Sequence, residues 1–327
     1  MSTVFRRKNK KIKKEQEMGV IDVENLTKDY GSGRGVFDVS ISVNESEVFG
    51  FLGPNGAGKS TTIRHLMGFS KPDSGSTKIF GKETFKKYYE ILSKVGYIPG
   101  EIALPAGLTG WEFLNMMQSL QGVKNEKMQK RMLDMFELDD VALNGETKRM
   151  SLGVKRKLAI VAAFMSDPSV LILDEPTSGL DPVMQEQFIE FIHEEKARGK
   201  TILLSSHIFS EIDNTCDRIA IIKDGKIVSQ FVADDLKHAS RKFYTIKFSD
   251  EAEAKRFDEK AANIPSLAEL ERRDGERFVS VEDKDLNYLI RGVADMNIVS
   301  FGNRKESLQD YFMKFYKEEK DFKGALK

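Results

Sequence analysis

The sequence predicts an α/β protein wound around a mainly parallel sheet, followed by a smaller α+β unit. Three observations carry this. Gly53-Pro54-Asn55-Gly56-Ala57-Gly58-Lys59-Ser60-Thr61 fits G-x-x-x-x-G-K-[ST], between a strand-like run at 48–52 and a segment able to start a helix at 62–67. Residues 170–173 and 201–205 are continuous apolar runs, the pattern of parallel strands covered on both faces. Beyond about residue 240, short strand-like and helical stretches alternate without any phosphate loop or cluster of metal-ligating or nucleophilic residues.

The glycines of the 53–61 stretch allow a turn tight enough for several backbone N–H groups to face one phosphate. The helix start that follows adds a partial positive charge at the same place. Lys59 then reaches the β- and γ-phosphates, and the Ser60 hydroxyl is placed to ligate Mg²⁺.

Taken in order, residues 1–19 carry Arg6, Arg7, Lys8, Lys10, Lys11, Lys13 and Lys14 and read as a solvated, disordered tail. Weak attraction to an anionic membrane leaflet is the sharper alternative. Alternation at 20–23 and 36–43 predicts antiparallel, half-buried strands. Further strands are expected at 77–81, after a turn at Pro72-Asp73-Ser74-Gly75, and at 95–99. Thr109-Gly110-Trp111-Glu112 is a capping box opening a helix at 111–120. Asn125 caps a second helix whose Met128, Met132, Met135 and Phe136 read as core. Asp181-Pro182 opens a helix that Gly199 stops, and 219–228 is a hairpin turning at Lys223-Asp224-Gly225-Lys226. In the last unit strands are expected at 244–248, 278–281 and 298–301, and helices at 251–262, 286–294 and 308–317. That unit reads as a regulatory or docking module.

Composition bounds the function. The 327 residues carry 51 Lys+Arg against 51 Asp+Glu, so no nucleic-acid partner is expected. Cys216 is the single cysteine, which excludes an intramolecular disulfide and fits a reducing cytosol. No apolar run approaches the roughly 20 residues of a membrane span, and the chain reads as soluble and intracellular.

Other segments bear chemistry. The strand at 170–173 ends in Asp174-Glu175; beside a phosphate loop, Asp174 holds Mg²⁺ and Glu175 polarises the attacking water. His207, after Ser205-Ser206, falls beyond the carboxyl end of the next strand, where open α/β sheets bind ligands. His65, His193 and His238 read as structural. Ser151 and Gly153 open a long helix whose start can face an anion.

In this order and spacing, the loop at 53–61, Asp174-Glu175, Ser178-Gly179-Leu180-Asp181 and His207 resemble the ATP-binding subunit of an ABC transporter. The resemblance spans roughly 20–237 and implies a P-loop NTPase fold of the ABC ATPase kind. An antiparallel β subdomain and a helical subdomain near 101–165 go with it, and 240–327 would be the accessory α+β domain. It implies Tyr30 stacked on adenine, 178–181 as the loop carrying Asp181, and Gly53, Asn55, Gly56, Ala57, Gly58, Lys59, Ser60 and Thr61 around the phosphates. Ser151 and Gly153 would contact the nucleotide held by a second ATPase subunit, identical or different. Glu175, His207 and Lys59 would be catalytic, with ATP and Mg²⁺ as cofactors.

Two departures stand out. The signature, usually Leu-Ser-Gly-Gly-Gln, is Met150-Ser151-Leu152-Gly153-Val154. The glutamine expected after Tyr-x-Pro is replaced by Gly100-Glu101, which leaves Glu101 as the metal ligand and contact to the membrane subunit. Both resemble ABC-2 type drug, bacitracin or daunorubicin exporters, as does the C-terminal unit. The expectation is an ATP-hydrolysing exporter subunit held on the inner face of the membrane by a separate permease. A soluble ABC ATPase acting on ribosomes or DNA, or an importer subunit, is the alternative.

Overall fold

The protein is described by a computed structural model over residues 19–237, 241–304, 308, 309 and 311–313. The chain divides into two compact units, 1–231 and 232–327. The first opens with β1 (Ile21–Asp29), β2 (Gly35–Val43) and β3 (Val48–Leu52), and the phosphate-loop sequence then leads into α1 (Lys59–Leu66). β4 (Ser74–Ile79), β5 (Lys82–Glu83), α2 (Thr84–Ile91) and β6 (Val95–Ile98) follow. Next come α3 (Gly110–Gln121), α4 (Glu126–Met135), α5 (Asp140–Asn144) and α6 (Leu152–Phe164). The unit closes with β7 (Val170–Asp174), α7 (Pro182–Ala197), β8 (Thr201–Ser206), α8 (Phe209–Thr215), β9 (Arg218–Lys223) and β10 (Lys226–Val232).

Two sheets result. The antiparallel one runs β2-β1-β4-β5, and β2 buries alternate side chains over much of its length, as its sequence predicts. The central one runs β10-β9-β3-β8-β7-β6, in which β6 with β7, β7 with β8, β8 with β3 and β3 with β9 pair in parallel. Every residue of β3, β7 and β8 is buried, which is why these segments read as unbroken apolar runs. Phe49, Phe51, Ile63, Leu66, Ile172 and Leu203 share one core with the antiparallel sheet. The strand order fixes the site: Leu52 lies level with Ser206, and Asp174 with Ser205. Three carboxyl ends, each followed by a chemistry-bearing segment, therefore meet at one edge.

The caps fall where the residue types place them. Thr109 and Glu112 exchange hydrogen bonds (Thr109 N to Glu112 Oε2 2.8 Å, Glu112 N to Thr109 Oγ1 3.2 Å) at the start of α3. Asn125 caps α4, whose Met128 and Met132 are buried as core. Asp181 accepts from Met184 N at 3.0 Å ahead of Pro182. One turn expectation is corrected: Ser74-Gly75 already belongs to β4, because Ser74 pairs with Thr27 across an irregularity in β1. The helix α2 was not predicted; among its residues only Thr84 and Ile91 are buried, so no apolar periodicity marks it.

In the second unit, α9 (Ala233–Lys237) precedes β11 (Arg241–Phe248), α10 (Glu251–Ala261), β12 (Ala268–Arg273), β13 (Glu276–Glu282), α11 (Leu286–Val293) and β14 (Ile298–Arg304). The sheet order is β12-β13-β11-β14, all antiparallel, over a core with Ile246, Phe248, Phe257, Val281 and Leu289. β12 was also missed: Glu269, Glu271, Arg272 and Arg273 give it the charged face of an edge strand rather than an apolar alternation. Of the helix expected at 308–317, Leu308, Gln309 and 311–313 are helical, and the rest lies outside the described residues, as do the basic tail and His238.

Arg277 is buried in this unit and donates to Asp258 (2.8 and 2.9 Å) and Glu251 (2.9 Å). Asp258 and Glu251 keep part of their surface in water, so losing Arg277 costs about the value of a charged hydrogen bond, roughly 1.5–3 kcal/mol. Arg277→Met is expected to lower the stability of the 232–327 unit by about that amount, measured by hydrogen exchange at Val279 and Val281 or by urea unfolding. Unchanged protection there would contradict it.

Candidate functional site

The loop between β3 and α1 is shaped by glycine. Gly56 and Gly58 have φ of +83° and +112°, and a Cβ on Gly58 would lie 2.7 Å from Val36 Cγ1. No side chain caps α1, so backbone N–H groups of its first turn are left to face a ligand. Lys59 is buried, and its ammonium donates to Gly53 O (2.6 Å) and Pro54 O (3.2 Å). Its Nζ also lies 3.3 Å from Glu175 Oε1.

Asp174, the last residue of β7, is buried and accepts a hydrogen bond from Ser205 Oγ. Glu175 holds the left-handed conformation, φ +48°, rare for a residue with a side chain. Its N–H donates to Ser205 O at 2.9 Å. Its Oε1 sits 3.2 Å from His207 Nδ1 as well as beside Lys59, so one carboxylate oxygen joins the phosphate loop to the end of β8. Strain of this kind costs on the order of 1–3 kcal/mol and persists where the surroundings over-determine it, typically at working sites.

A cleft of about 540 Å³ opens over these groups. Its wall unites Asn55, Gly56, Gly58, Lys59, Ser60 and Thr61 with Glu101, Asp174 and Glu175. His207 joins through Glu175. Gly53 supplies a carbonyl to Lys59, and Ala57 is buried inside the loop. Tyr30 stands just past β1, 55% exposed, with Lys28 Nζ 5.9 Å from its ring centroid. Ser151 caps α6 (Val154 N to Oγ 3.3 Å), Gly153 lies beside Gly179 O, and Asp181 caps α7; none of these three lines the cleft.

Arg64, Tyr97 and Pro99 also line the cleft and were not singled out from sequence. Arg64 lies four residues after Ser60 on α1, a spacing that puts both on one helix face. Burial first, then the Asp174 charge, pushes the Tyr97 hydroxyl up to about 12. The fit to a magnesium–nucleotide is chemical. The wall offers a hydroxyl and carboxylates, hard oxygen donors of the kind Mg²⁺ takes, beside an ammonium and a glycine loop, in a volume typical of ligand clefts.

Behind His207, Glu211 on α8 is buried and accepts from Ser206 Oγ at 2.5 Å. Burial, opposed by hydrogen bonds from Ser206 and Thr177 and by His207, and reinforced by Glu175, pushes its carboxyl from 4.5 up to about 7. The folded state thus holds a proton that the unfolded chain releases earlier. This contribution to stability is complete below 4.5 and lost as pH rises through about 7. Thermal melting from about pH 5 to 8 should fall by a few degrees more in the native chain than in Glu211→Gln. Parallel curves would contradict the assignment.

The sequence profile described as ABC transporter matches residues 36–178. The bacitracin transport ATP-binding protein BcrA of Bacillus licheniformis is 40% identical over 240 residues, 72% of this chain and 77% of that protein. This chain belongs to the ABC transporter family. The linearmycin resistance ATP-binding protein LnrL of Bacillus subtilis (strain 168) is 36% identical, covering 66% of this chain and 70% of the relative. A solved ATP binding subunit of an ABC transporter superposes with TM-score 0.61 at 32% identity, covering 67% of this chain and 92% of that one. The dimeric, post-hydrolysis cassette MJ0796 bound to ADP and Pi shares the fold at TM-score 0.58 and 23% identity, covering 65% of this chain and 98% of that one. The ABC chain described here is an ATP-binding, ATP-hydrolysing transporter subunit, of a kind that works with membrane permease components. Among its described residues no helix is long and apolar enough to cross a membrane.

Proposed function

We propose that this ABC subunit drives export of a drug, peptide antibiotic or lipid-like molecule through a separate permease of the ABC-2 type. The observation that carries the catalytic part is the meeting of Lys59, Glu175 and His207 through one carboxylate oxygen beside the phosphate loop. Support for export comes from relatives named for bacitracin transport and linearmycin resistance. In this reading the chain sits on the inner membrane face, held there by its permease.

In this reading the backbone of Asn55, Gly56, Ala57, Gly58 and Ser60 holds the phosphates, with Gly53 and Thr61 bounding the loop. Lys59 exchanges its loop carbonyls and Glu175 for phosphate oxygens, which frees Glu175. Glu175 then accepts the proton of the attacking water, and His207 orients Glu175 and reads the γ-phosphate. Ser60, Asp174 and Glu101 would hold Mg²⁺, which when bound neutralises charge on the β- and γ-phosphates. Tyr30, with more than half its surface open, offers its ring to the adenine. Ser151, Gly153 and Asp181, away from the cleft, are assigned to the nucleotide and loops of a second ATPase subunit.

The permease is assigned to the surface around 101–113. An apolar groove of about 520 Å³ lies there, lined by Tyr88, Tyr89, Ile102, Leu104, Phe113 and Met117. The 240–327 segment is assigned as an accessory domain. Affinity purification of the full-length chain from native membranes tests the whole reading. A co-purifying integral membrane permease is the expected result. Recovery with ribosomes or DNA and no membrane protein would overturn transport and leave the ATPase assignment standing.

A further inference from the structure

Arg156 on α6 is 2% exposed, yet no carboxylate lies within ion-pair distance of it among the described residues. Its guanidinium is satisfied by backbone instead. Nε donates to Ser178 O (2.9 Å), and the two terminal nitrogens donate to Pro99 O (3.0 Å) and Gly100 O (2.8 Å). A buried cation is costly, and burial does lower its pKa, but guanidinium remains charged.

What the three carbonyls belong to gives the cost a purpose. Ser178 closes the turn that begins at Glu175, with Ser178 N donating to Glu175 O at 3.2 Å. Gly100 packs on the other acid: a Cβ at Gly100 would lie 3.1 Å from Asp174 Oδ2. One side chain therefore holds the far side of the turn carrying the left-handed Glu175 and the backbone that walls Asp174. Leu152, four residues earlier and on the same helix face, lies against Gly179, where a Cβ would be 3.2 Å from it. The unusual leucine of the signature and Arg156 thus grip the same loop from α6.

We propose that Arg156 is a positioning residue for hydrolysis, locking the 99–100 segment and the 175–178 turn to α6 so that Asp174 and Glu175 keep their working geometry. The proposal rests on the reading of Asp174 and Glu175 given above. Displacing a reacting group by about 1 Å costs up to about 10²-fold in rate, with little change in ground-state binding.

The test uses the full-length chain. Arg156→Gln is expected to lower kcat about 10- to 100-fold while KM for ATP and the affinity for ATP change less than about threefold. Arg156→Lys keeps the buried charge but not the planar fork, and should fall between Gln and the native chain. A native kcat in Arg156→Gln overturns the proposal, as does a loss that appears in KM with kcat retained. Should Arg156→Gln fail to fold, Arg156→Lys decides by the same split: kcat reduced severalfold at unchanged affinity supports it, and native kcat overturns it. Lys59→Ala is run alongside. If it hydrolyses ATP like the native chain, the site reading itself has failed; if it is inactive while Arg156→Gln is normal, only the positioning role has.

Discussion

Replacing Glu175 with glutamine is expected to lower the ATP turnover of this chain by about 10²–10⁴-fold while ATP binding survives, leaving the protein trapped as an ATP-bound dimer. The substitution keeps the side chain's length and one oxygen. That oxygen still meets Lys59 Nζ and His207 Nδ1, which lie 3.3 and 3.2 Å from Glu175 Oε1. What is lost is the ability to accept a proton from water at the end of β7. The left-handed backbone at 175 is set by the hydrogen bond from its N–H to Ser205 O and by the turn to Ser178, neither of which involves the carboxylate. The measurement is steady-state phosphate release together with the mass of the species formed in ATP. A variant hydrolysing at the native rate would remove Glu175 as the base.

Lys59→Ala should act one step earlier. The Lys59 side chain is 4% exposed; its ammonium donates hydrogen bonds to Gly53 O and Pro54 O and lies in ion-pair range of the Glu175 carboxylate. Without it the loop carbonyls and Glu175 lose their shared cation, and the phosphates lose the point charge that follows the glycine turn. Breaking a buried charge contact of this kind costs about 3–5 kcal/mol, or about 10²–10⁴-fold in nucleotide affinity. Titration with a fluorescent ATP analogue measures this, and circular dichroism checks that the α1 helix remains. Native affinity in the variant would mean that the phosphates bind elsewhere.

Much of the site was legible because its parts are local. The G-x-x-x-x-G-K-S spacing, the apolar strand ending in Asp174-Glu175 and the Asp181-Pro182 helix start are each written within a few residues, where chain geometry leaves few alternatives. The capping box at Thr109 and Glu112 was readable for the same reason. What escaped prediction lacked a local signal. α2 buries too few residues to show a period, and β12 is a charged edge. Arg156 sat in a basic run, Lys155-Arg156-Lys157, where nothing marks the middle cation as the buried one.

By itself, then, the sequence determined that the chain carries a phosphate loop, an acidic strand end and a following histidine, in an α/β frame with an α+β appendage. Those features depend on contacts between near neighbours in the chain. Only the tertiary structure decided that Lys59, Glu175 and His207 share one carboxylate oxygen, that Glu175 is held left-handed, and that Arg156 ties 99–100 to 178. These contacts join residues tens to more than a hundred positions apart. The β3-β8-β7 order of the parallel sheet, which brings those carboxyl ends side by side, depends on long-range packing that no short stretch encodes.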